Sequence, residues 1–191
     1  LAFPWGIRFA GDPAVGDAVD NNFDGFADLG VFHGTFVAAI AAAMTDNINP
    51  DNGEFEGMAG ACRNCKIMPV RMVNPEGNGY GSDAAAAINY AAAMGADVIN
   101  LSWGFDLDSL DAAGQAEVAV IADAINNAVT QGVIVVASAG NSGGPSLRFP
   151  ASMANTIAVG STNWLDRRSE FSTIAAPGEV PDNDIDDDGN G

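Results

Sequence analysis

The chain has 191 residues, 48% of them hydrophobic, so it can bury a core of its own and does not have the composition of a disordered segment. Its 25 acidic and 7 basic residues give a formal charge of −18, which disfavours binding to nucleic acid or to an anionic membrane surface. This charge balance suits a cation-binding protein or saline surroundings, and it serves plain solubility equally well.

No membrane anchor or signal sequence is visible in the chain. Its apolar runs are far shorter than the roughly 20 residues of a membrane-spanning helix, and its first residues lack a basic region followed by an apolar stretch. Because the chain starts at Leu1 and stops at Gly191 inside an Asp-rich run, we expect both ends to be cut or processed. The missing signal sequence therefore says nothing about secretion.

Apolar periodicity predicts strands that alternate with helices. In chain order these are a helix over residues 33–44, a strand over 67–73, a helix over 83–94, a strand over 97–102, a helix over 111–131 ended by Gly132, and strands over 133–137 and 156–160. Nearly continuous Val/Ile runs separated by helices indicate an α/β fold, in which a mostly parallel, doubly wound sheet carries helices on both faces in three layers. Functional residues of such sheets gather at the carboxyl ends of the strands.

Two polar, glycine-containing segments stand at such ends. Ser102, Trp103 and Gly104 follow one predicted strand, and Ser138, Ala139, Gly140 and Asn141 follow another. Their glycines permit positive φ or close approach of another backbone. These segments are candidate walls of a substrate site.

The two cysteines form a C-x-x-C pair at Cys62 and Cys65. Two thiolates are too few for a structural zinc site, and a thioredoxin-type pair should open a helix, whereas this pair precedes a predicted strand. A local disulfide is the preferred interpretation and indicates an extracytoplasmic setting. Two reduced cysteines that serve packing are the alternative.

The single histidine, His33, would by itself be an incidental residue, since general-base catalysis needs a partner within hydrogen-bond reach. Its context changes that interpretation. The segment His33-Gly34-Thr35-Phe36-Val37-Ala38 resembles the histidine motif of the subtilisin-like serine proteases, in which H-G-T-x-V-A opens a buried helix. Further segments correspond in order: residues 57–60, 66–73, 95–104, 137–141, 149–152, 157–161, 171–172 and 175–178. The resemblance covers about residues 31 to 178.

The resemblance implies a role for two residues. His33 would be the general base that takes the proton of a serine hydroxyl and later donates it to the leaving amine. Asn141 would donate its side-chain amide to the oxyanion of the tetrahedral intermediate. Without His33 and the flanking motifs, Asn141 would be interpreted as an ordinary turn residue.

The resemblance also implies how a peptide would bind. The segments Ser102-Trp103-Gly104 and Gly79-Tyr80-Gly81 match the two family segments that sandwich an extended substrate through backbone hydrogen bonds. Ser138, Ala139 and Gly140 complete the candidate substrate-binding set. Trp103 stands where the family has a smaller aliphatic residue, which would narrow a subsite or serve packing. Arg148 falls near the specificity-pocket loop and could favour acidic side chains.

Two elements of the family pattern are not found in the chain. No serine stands in a G-T-S-M-A-like motif, so we expect the nucleophile to be missing and the polypeptide as it stands to be inactive. Asp12, Asp17 and Asp20 lie in polar, Gly-rich surroundings, and none is assigned as the triad aspartate. The predicted function is that of the full-length protein.

Two acidic segments are candidate calcium loops. The first has alternating oxygen ligands and then a glycine, and the second has the same opening pattern. The candidate ligands are Asp20, Asn22, Asp24 and Asp28 in the first segment and Asp184, Asp186 and Asp188 in the second. Val31 replaces the usual bidentate Glu of an EF-hand, so a complete EF-hand is rejected. D-x-D-x-D-G stretches occur in subtilisin-like proteases, where calcium holds loops; a solvated acidic loop is the alternative.

The predicted protein is a secreted serine endopeptidase, monomeric, with polypeptide substrates, structural calcium and no nucleic-acid or membrane partner. We expect residues 1–191 to form one partial peptidase domain with acidic segments at residues 1–30 and 180–191. A nucleotide-binding domain is disfavoured because Gly77-x-Gly79-x-Gly81 lacks the G-x-G-x-x-G spacing. A non-catalytic subtilisin-like module for calcium-dependent binding is the remaining alternative.

Overall fold

The computed structural model describes residues 33–46, 48–49, 51–55, 57–73 and 79–173, and the chain divides into two compact units, Leu1–Asp83 and Ala84–Gly191. The helices are α1 (His33–Ala42), α2 (Gly81–Ala93) and α3 (Ala112–Thr130), with a short 3₁₀ helix over Leu107–Ser109, and the strands are β1 (Val98–Leu101), β2 (Ile134–Ser138) and β3 (Ile157–Val159). The predicted helices are confirmed, as are the last three predicted strands, with ends that differ by one or two residues at most.

The three strands form one parallel sheet in the order β1-β2-β3. Leu101 of β1 lies opposite Ala137 of β2, and Ser138 lies opposite Val159 of β3. The α/β class with a parallel sheet is therefore confirmed. Because β1 and β2 end next to each other, the segments that follow them leave the sheet at the same edge.

One face of the sheet forms the core of the second unit. Ile99 and Leu101 of β1 and Val135 and Ala137 of β2 are buried there, and α3 packs on β2. The residues that α3 buries recur at helical spacing: Ile121, Ala124, Ile125 and Ala128. Period-two burial in the strands and 3.6-residue burial in the helix are the patterns expected where a helix covers one face of a sheet.

Side-chain and glycine caps set the ends of α3. The Asp111 carboxylate accepts a hydrogen bond from the Gly114 N–H at 2.9 Å, which satisfies one of the donors that the first turn leaves unpaired. At the other end Gly132 has a φ of +89°, and the Val133 N–H donates to the Ala128 carbonyl at 3.1 Å. This is the Schellman arrangement, and it confirms that Gly132 ends the helix.

In the first unit, α1 is held at its carboxyl end by a following loop. The N–H groups of Gly60, Ala61 and Cys62 donate to the carbonyls of Ala43, Ile40 and Ala41, at 3.0, 2.9 and 2.8 Å respectively. These contacts satisfy carbonyls that have no partner within the helix.

The predicted strand over residues 67–73 is wrong, because those residues form no strand. Pro69 stands inside the segment and has no N–H to donate, so it removes a hydrogen bond that a strand ladder would need. In the described part of the chain, no helix has the length and apolarity to cross a membrane.

Candidate active site

The candidate substrate segments of the second unit lie at the carboxyl edge of the sheet. Ser102 follows the last residue of β1, and Ser138 is the last residue of β2, so the chain leaves two adjacent strands at this point. The Asn100 amide donates to the Ser102 hydroxyl at 2.8 Å, which fixes the side chain just beyond β1. The structure thus brings together the segments at residues 102–104 and 138–140, two of the three candidate substrate segments.

Backbone hydrogen bonds join the first segment to a distant part of the chain. Phe105 and Phe149 form an antiparallel bridge in which each N–H donates to the other carbonyl at 3.0 Å. A β-carbon at Gly104 would lie 2.7 Å from the Phe149 carbonyl oxygen, so the close approach needs a glycine.

Aromatic rings stack beside this bridge. The Trp103 ring lies 6.3 Å from that of Phe105 at an interplanar angle of 16°, and the Phe105 ring lies 5.3 Å from that of Phe149. These separations are within the range of favourable aromatic pairs. Trp103 therefore has a packing contact, and a role in narrowing a subsite stays a prediction.

The second segment turns sharply at Gly140, whose φ is +118°. Just before the turn, Ala139 is buried and its N–H donates to the Val159 carbonyl of β3 at 2.9 Å. Asn141 follows the turn and is exposed. No residue of the described part of the chain forms a hydrogen bond with the Asn141 side chain, so its amide is available to a bound molecule.

Arg148 packs against the same turn. Its N–H donates to the Ala139 carbonyl at 3.2 Å, and its Cγ and Cδ lie 2.9 and 3.0 Å from where a β-carbon on Gly140 would stand. Within the described ranges its half-buried side chain has no ion-pair partner. The aliphatic part of the Arg148 side chain thus lies against the backbone that precedes Asn141.

Sequence reasoning missed Thr173 and Ser142, which support this turn. Thr173 is 3% exposed, its N–H donates to the Gly140 carbonyl at 3.1 Å, and its hydroxyl accepts from the Ser142 N–H at 3.3 Å. The family motif at Phe171 and Ser172 lies next to Thr173 in the sequence. Nothing local in the sequence, however, shows that Thr173 contacts a turn 31 positions earlier.

His33 is the first residue of α1, as the sequence predicted, and its side chain is exposed. It lies in the first unit of the chain, whereas Asn141 lies in the second. A helix that begins at the histidine and is held at its far end by residues 60–62 gives the imidazole a fixed attachment point.

Gly79, Tyr80 and Gly81 lie at the amino end of α2. Tyr80 is exposed, its carbonyl accepts from the Asp83 N–H at 3.0 Å, and Gly81 is the first helical residue. A β-carbon on Gly79 would lie 2.5 Å from the Met72 carbonyl oxygen, so a side chain would not fit at this position. Binding of substrate by this segment stays a prediction.

The disulfide between Cys62 and Cys65 is confirmed, with the two Cα atoms 5.4 Å apart. It begins at Cys62, the last of the three residues that donate to the end of α1, and Arg63 inside the closed loop forms an ion pair with Asp46 at 2.8 Å. The reduced alternative is not what the structure shows.

The candidate calcium ligands all fall outside the described residues. This applies to the whole set: Asp20, Asn22, Asp24, Asp28, Asp184, Asp186 and Asp188. Among the residues that are described, no group of three or more His, Cys, Asp or Glu side chains could hold a metal ion.

The parallel α/β sheet, with segments that resemble subtilisin-like motifs at its carboxyl edge, is the arrangement that the resemblance implies. The family comparison agrees: the chain belongs to the subtilase family, whose model matches residues 20–182. It is 42% identical over 168 residues to a thermophilic serine proteinase of Bacillus sp. (strain AK1) and 39% identical over 168 residues to thermitase of Thermoactinomyces vulgaris. Each match covers 85% of this chain. The chain spans 37% of the first relative and 54% of the second.

Solved structures show the same relationship. The prenylagaramide maturation protease PagA is 29% identical, with a TM-score of 0.53 over 74% of this chain and 46% of that one. Sphericase is 27% identical, with a TM-score of 0.52 over 61% of this chain and 39% of that one. The resemblance inferred from the motifs is thereby confirmed.

Proposed function

We propose that the full-length protein is a serine endopeptidase that cleaves unfolded or loop segments of polypeptides with a Ser-His-Asp triad. In this assignment His33 is the general base and Asn141 is the oxyanion donor. The nucleophilic serine belongs to a part of the protein outside this chain, and the triad aspartate is not assigned. Membership of the subtilase family supports the reaction class.

The observation that carries the proposal is that the side-chain amide of Asn141 is exposed and unbonded within the described residues. Its exposed amide follows a buried strand-end residue, stands on a turn bonded to its surroundings, and has no partner within the described ranges. A donor held in place before the reaction stabilises developing charge without reorganising. A residue that served only the turn would be expected to bond within the turn, as Asx residues do.

The two residues act at different steps. In acylation, the neutral His33 imidazole takes the serine hydroxyl proton while the oxygen attacks the scissile carbonyl, and the Asn141 amide donates to the resulting oxyanion. When the C–N bond breaks, the imidazolium returns that proton to the leaving amine. In deacylation, His33 takes a proton from water, which attacks the acyl group, and gives it to the departing serine oxygen.

The carboxyl edge of the sheet supports an extended substrate. The segments after β1 and β2 supply Ser102, Trp103 and Gly104 on one side and Ser138, Ala139 and Gly140 on the other. From the family resemblance, Gly79, Tyr80 and Gly81 are proposed as a further substrate-binding segment. Glycine-rich segments expose backbone N–H and C=O groups, to which a peptide can pair as an added strand. Compact folded segments cannot pair in this way, which favours unfolded or loop substrates.

The proposed complete fold is the three-layer arrangement with helices on both faces of the sheet. The face opposite α3 carries apolar residues that are exposed in the described structure, Val98 and Ile134 among them. Burying such side chains is favourable by about 1.5–3 kcal/mol each, so a second layer over this face is expected in the full-length protein.

We also propose that the protein is secreted and holds structural calcium. The Cys62–Cys65 disulfide supports an oxidising compartment. Calcium is proposed for the segment of Asp20, Asn22, Asp24 and Asp28 and for that of Asp184, Asp186 and Asp188, because alternating carboxylate and amide oxygens followed by glycine suit this ion. A chelator should lower the melting temperature of the full-length protein, and added calcium should restore it. An unchanged melting temperature would remove calcium from the proposal.

The test of the catalytic proposal uses the full-length secreted protein, a casein substrate and a serine-directed fluorophosphonate probe. We expect hydrolysis that the probe blocks and covalent labelling of one serine. A His33→Ala variant with unchanged melting temperature should lose both. A folded, calcium-replete protein that neither hydrolyses casein nor takes up the label would instead be the non-catalytic binding module.

A further inference from the structure

The turn that carries Asn141 is tied to one buried residue on both of its sides. Before Asn141, the Gly140 carbonyl accepts from the Thr173 N–H at 3.1 Å. After it, the Ser142 N–H donates to the Thr173 hydroxyl at 3.3 Å, and the two hydroxyls lie 3.1 Å apart, within hydrogen-bond distance. Thr173 therefore fixes the backbone on either side of Asn141 and leaves the amide side chain itself free.

A neighbouring contact strengthens the same connection. The Gly143 N–H donates to the Phe171 carbonyl at 2.8 Å, so residues 140–143 lie alongside residues 171–173. Space at the turn is limited, since a β-carbon on Gly140 would lie 2.8 Å from the Thr173 hydroxyl oxygen. The turn and the threonine fit together with little room for either to shift.

We propose that Thr173 is a positioning residue for the oxyanion donor Asn141. The inference rests on the proposed function and adds a residue that acts through the backbone rather than by touching substrate. An oxyanion donor is effective only when it is preorganised, and a displacement of about 1 Å at a catalytic group can cost about a hundredfold in rate. A hydroxyl that accepts from the residue after Asn141 supplies that restraint.

The experiment compares Thr173→Val with Thr173→Ser in the full-length protein, using steady-state cleavage of a chromogenic peptide. Valine keeps the shape of threonine and removes the hydroxyl, whereas serine keeps the hydroxyl. We expect Thr173→Val to lower kcat by about tenfold to a hundredfold with little change in KM, and Thr173→Ser to restore most of kcat. Thr130→Val is the matched control, because among the described residues the Thr130 hydroxyl bonds to the Asn126 carbonyl on α3 alone, and the kcat of this variant should stay at the wild-type value.

A double-mutant cycle separates positioning from general stability. If Thr173 acts through Asn141, Thr173→Val should lower kcat in the wild-type background and have no further effect in an Asn141→Ala background. An equal loss in both backgrounds would overturn the proposal and assign Thr173 a purely structural role. An Asn141→Ala variant with normal kcat would instead overturn the proposed function of Asn141, which is a separate outcome.

A milder variant covers the case in which Thr173→Val does not fold. Ser142→Ala removes the exposed hydroxyl partner of Thr173 and leaves the buried side chain in place. We expect a smaller loss of kcat at unchanged melting temperature, again absent in the Asn141→Ala background. A kcat equal to that of the wild type would count against the positioning role.

Discussion

Phe105 and Phe149 exchange both of their backbone hydrogen bonds, each 3.0 Å long, although 44 positions separate them in the sequence. The pair joins the segment after β1 to the segment that follows Asn141 and Arg148. It thereby connects the two candidate walls of the substrate site through the backbone, and the bridge leaves no room for a side chain at Gly104.

The first prediction concerns this bridge. A Gly104→Ala substitution places a β-carbon 2.7 Å from the Phe149 carbonyl oxygen, which is part of the backbone and cannot rotate away. We expect a loss of about 1–3 kcal/mol in the free energy of unfolding, the range for overpacking, together with a raised KM. Gly144→Ala is the control, since its β-carbon would meet just the Ser142 hydroxyl, at 3.8 Å, among the described residues. Denaturant unfolding of both variants measures their free energies of unfolding, and equal values would contradict the prediction.

The second prediction concerns Asn141. Asn141→Ala should lower kcat by about 10²- to 10³-fold with little change in KM, the magnitude known for removal of one oxyanion donor in subtilisin. Because the side chain is exposed and makes no hydrogen bond within the described ranges, the melting temperature should stay the same. Asn127→Ala, which removes an exposed amide on α3, should leave kcat unaltered. A parallel fall in melting temperature would indicate a structural role for Asn141.

The third prediction concerns the disulfide. Cys62, whose N–H donates to the Ala41 carbonyl near the end of α1, is bonded to Cys65, and α1 is the helix that begins with His33. Reduction should destabilise the protein by about 2 kcal/mol, the chain-entropy value for so short a loop, and lower its melting temperature by several degrees. A Cys62→Ser/Cys65→Ser double variant should melt at the same temperature as the reduced protein and show no response to reductant. If reductant lowers the melting temperature of the double variant as well, the Cys62–Cys65 disulfide is not the cause of the destabilisation.

The fourth prediction concerns substrate preference. The Arg148 side chain packs on Gly140 and has no ion-pair partner among the described residues, so a substrate carboxylate near the scissile bond could pair with it. Arg148→Ala should lower kcat/KM for acidic peptides relative to neutral ones by about fivefold, the equivalent of about 1 kcal/mol for a partly exposed pair. Arg167→Ala removes an exposed arginine elsewhere and should not change the ratio. An unchanged ratio in Arg148→Ala would reject the acidic preference.

Local pattern was enough to predict the elements of the second unit. Runs such as residues 133–137 are apolar and β-branched, and α3 shows helical spacing of its buried residues between an Asp cap and a Gly stop. The strand predicted over residues 67–73 is absent. The prediction gave weight to the apolar residues of this segment and too little to Pro69, which has no N–H to donate to a strand ladder.

The sequence by itself determined the family and the candidate roles of His33 and Asn141, and it marked the candidate substrate segments, because contiguous motifs carry that information. Only the tertiary structure decided what supports them. Thr173 bonds to the Gly140 carbonyl just before Asn141, and Phe149 bonds to Phe105, through backbone hydrogen bonds between residues more than 30 positions apart. Such bonds use N–H and C=O groups that nearly all residues share, so no residue type in the sequence marks them in advance.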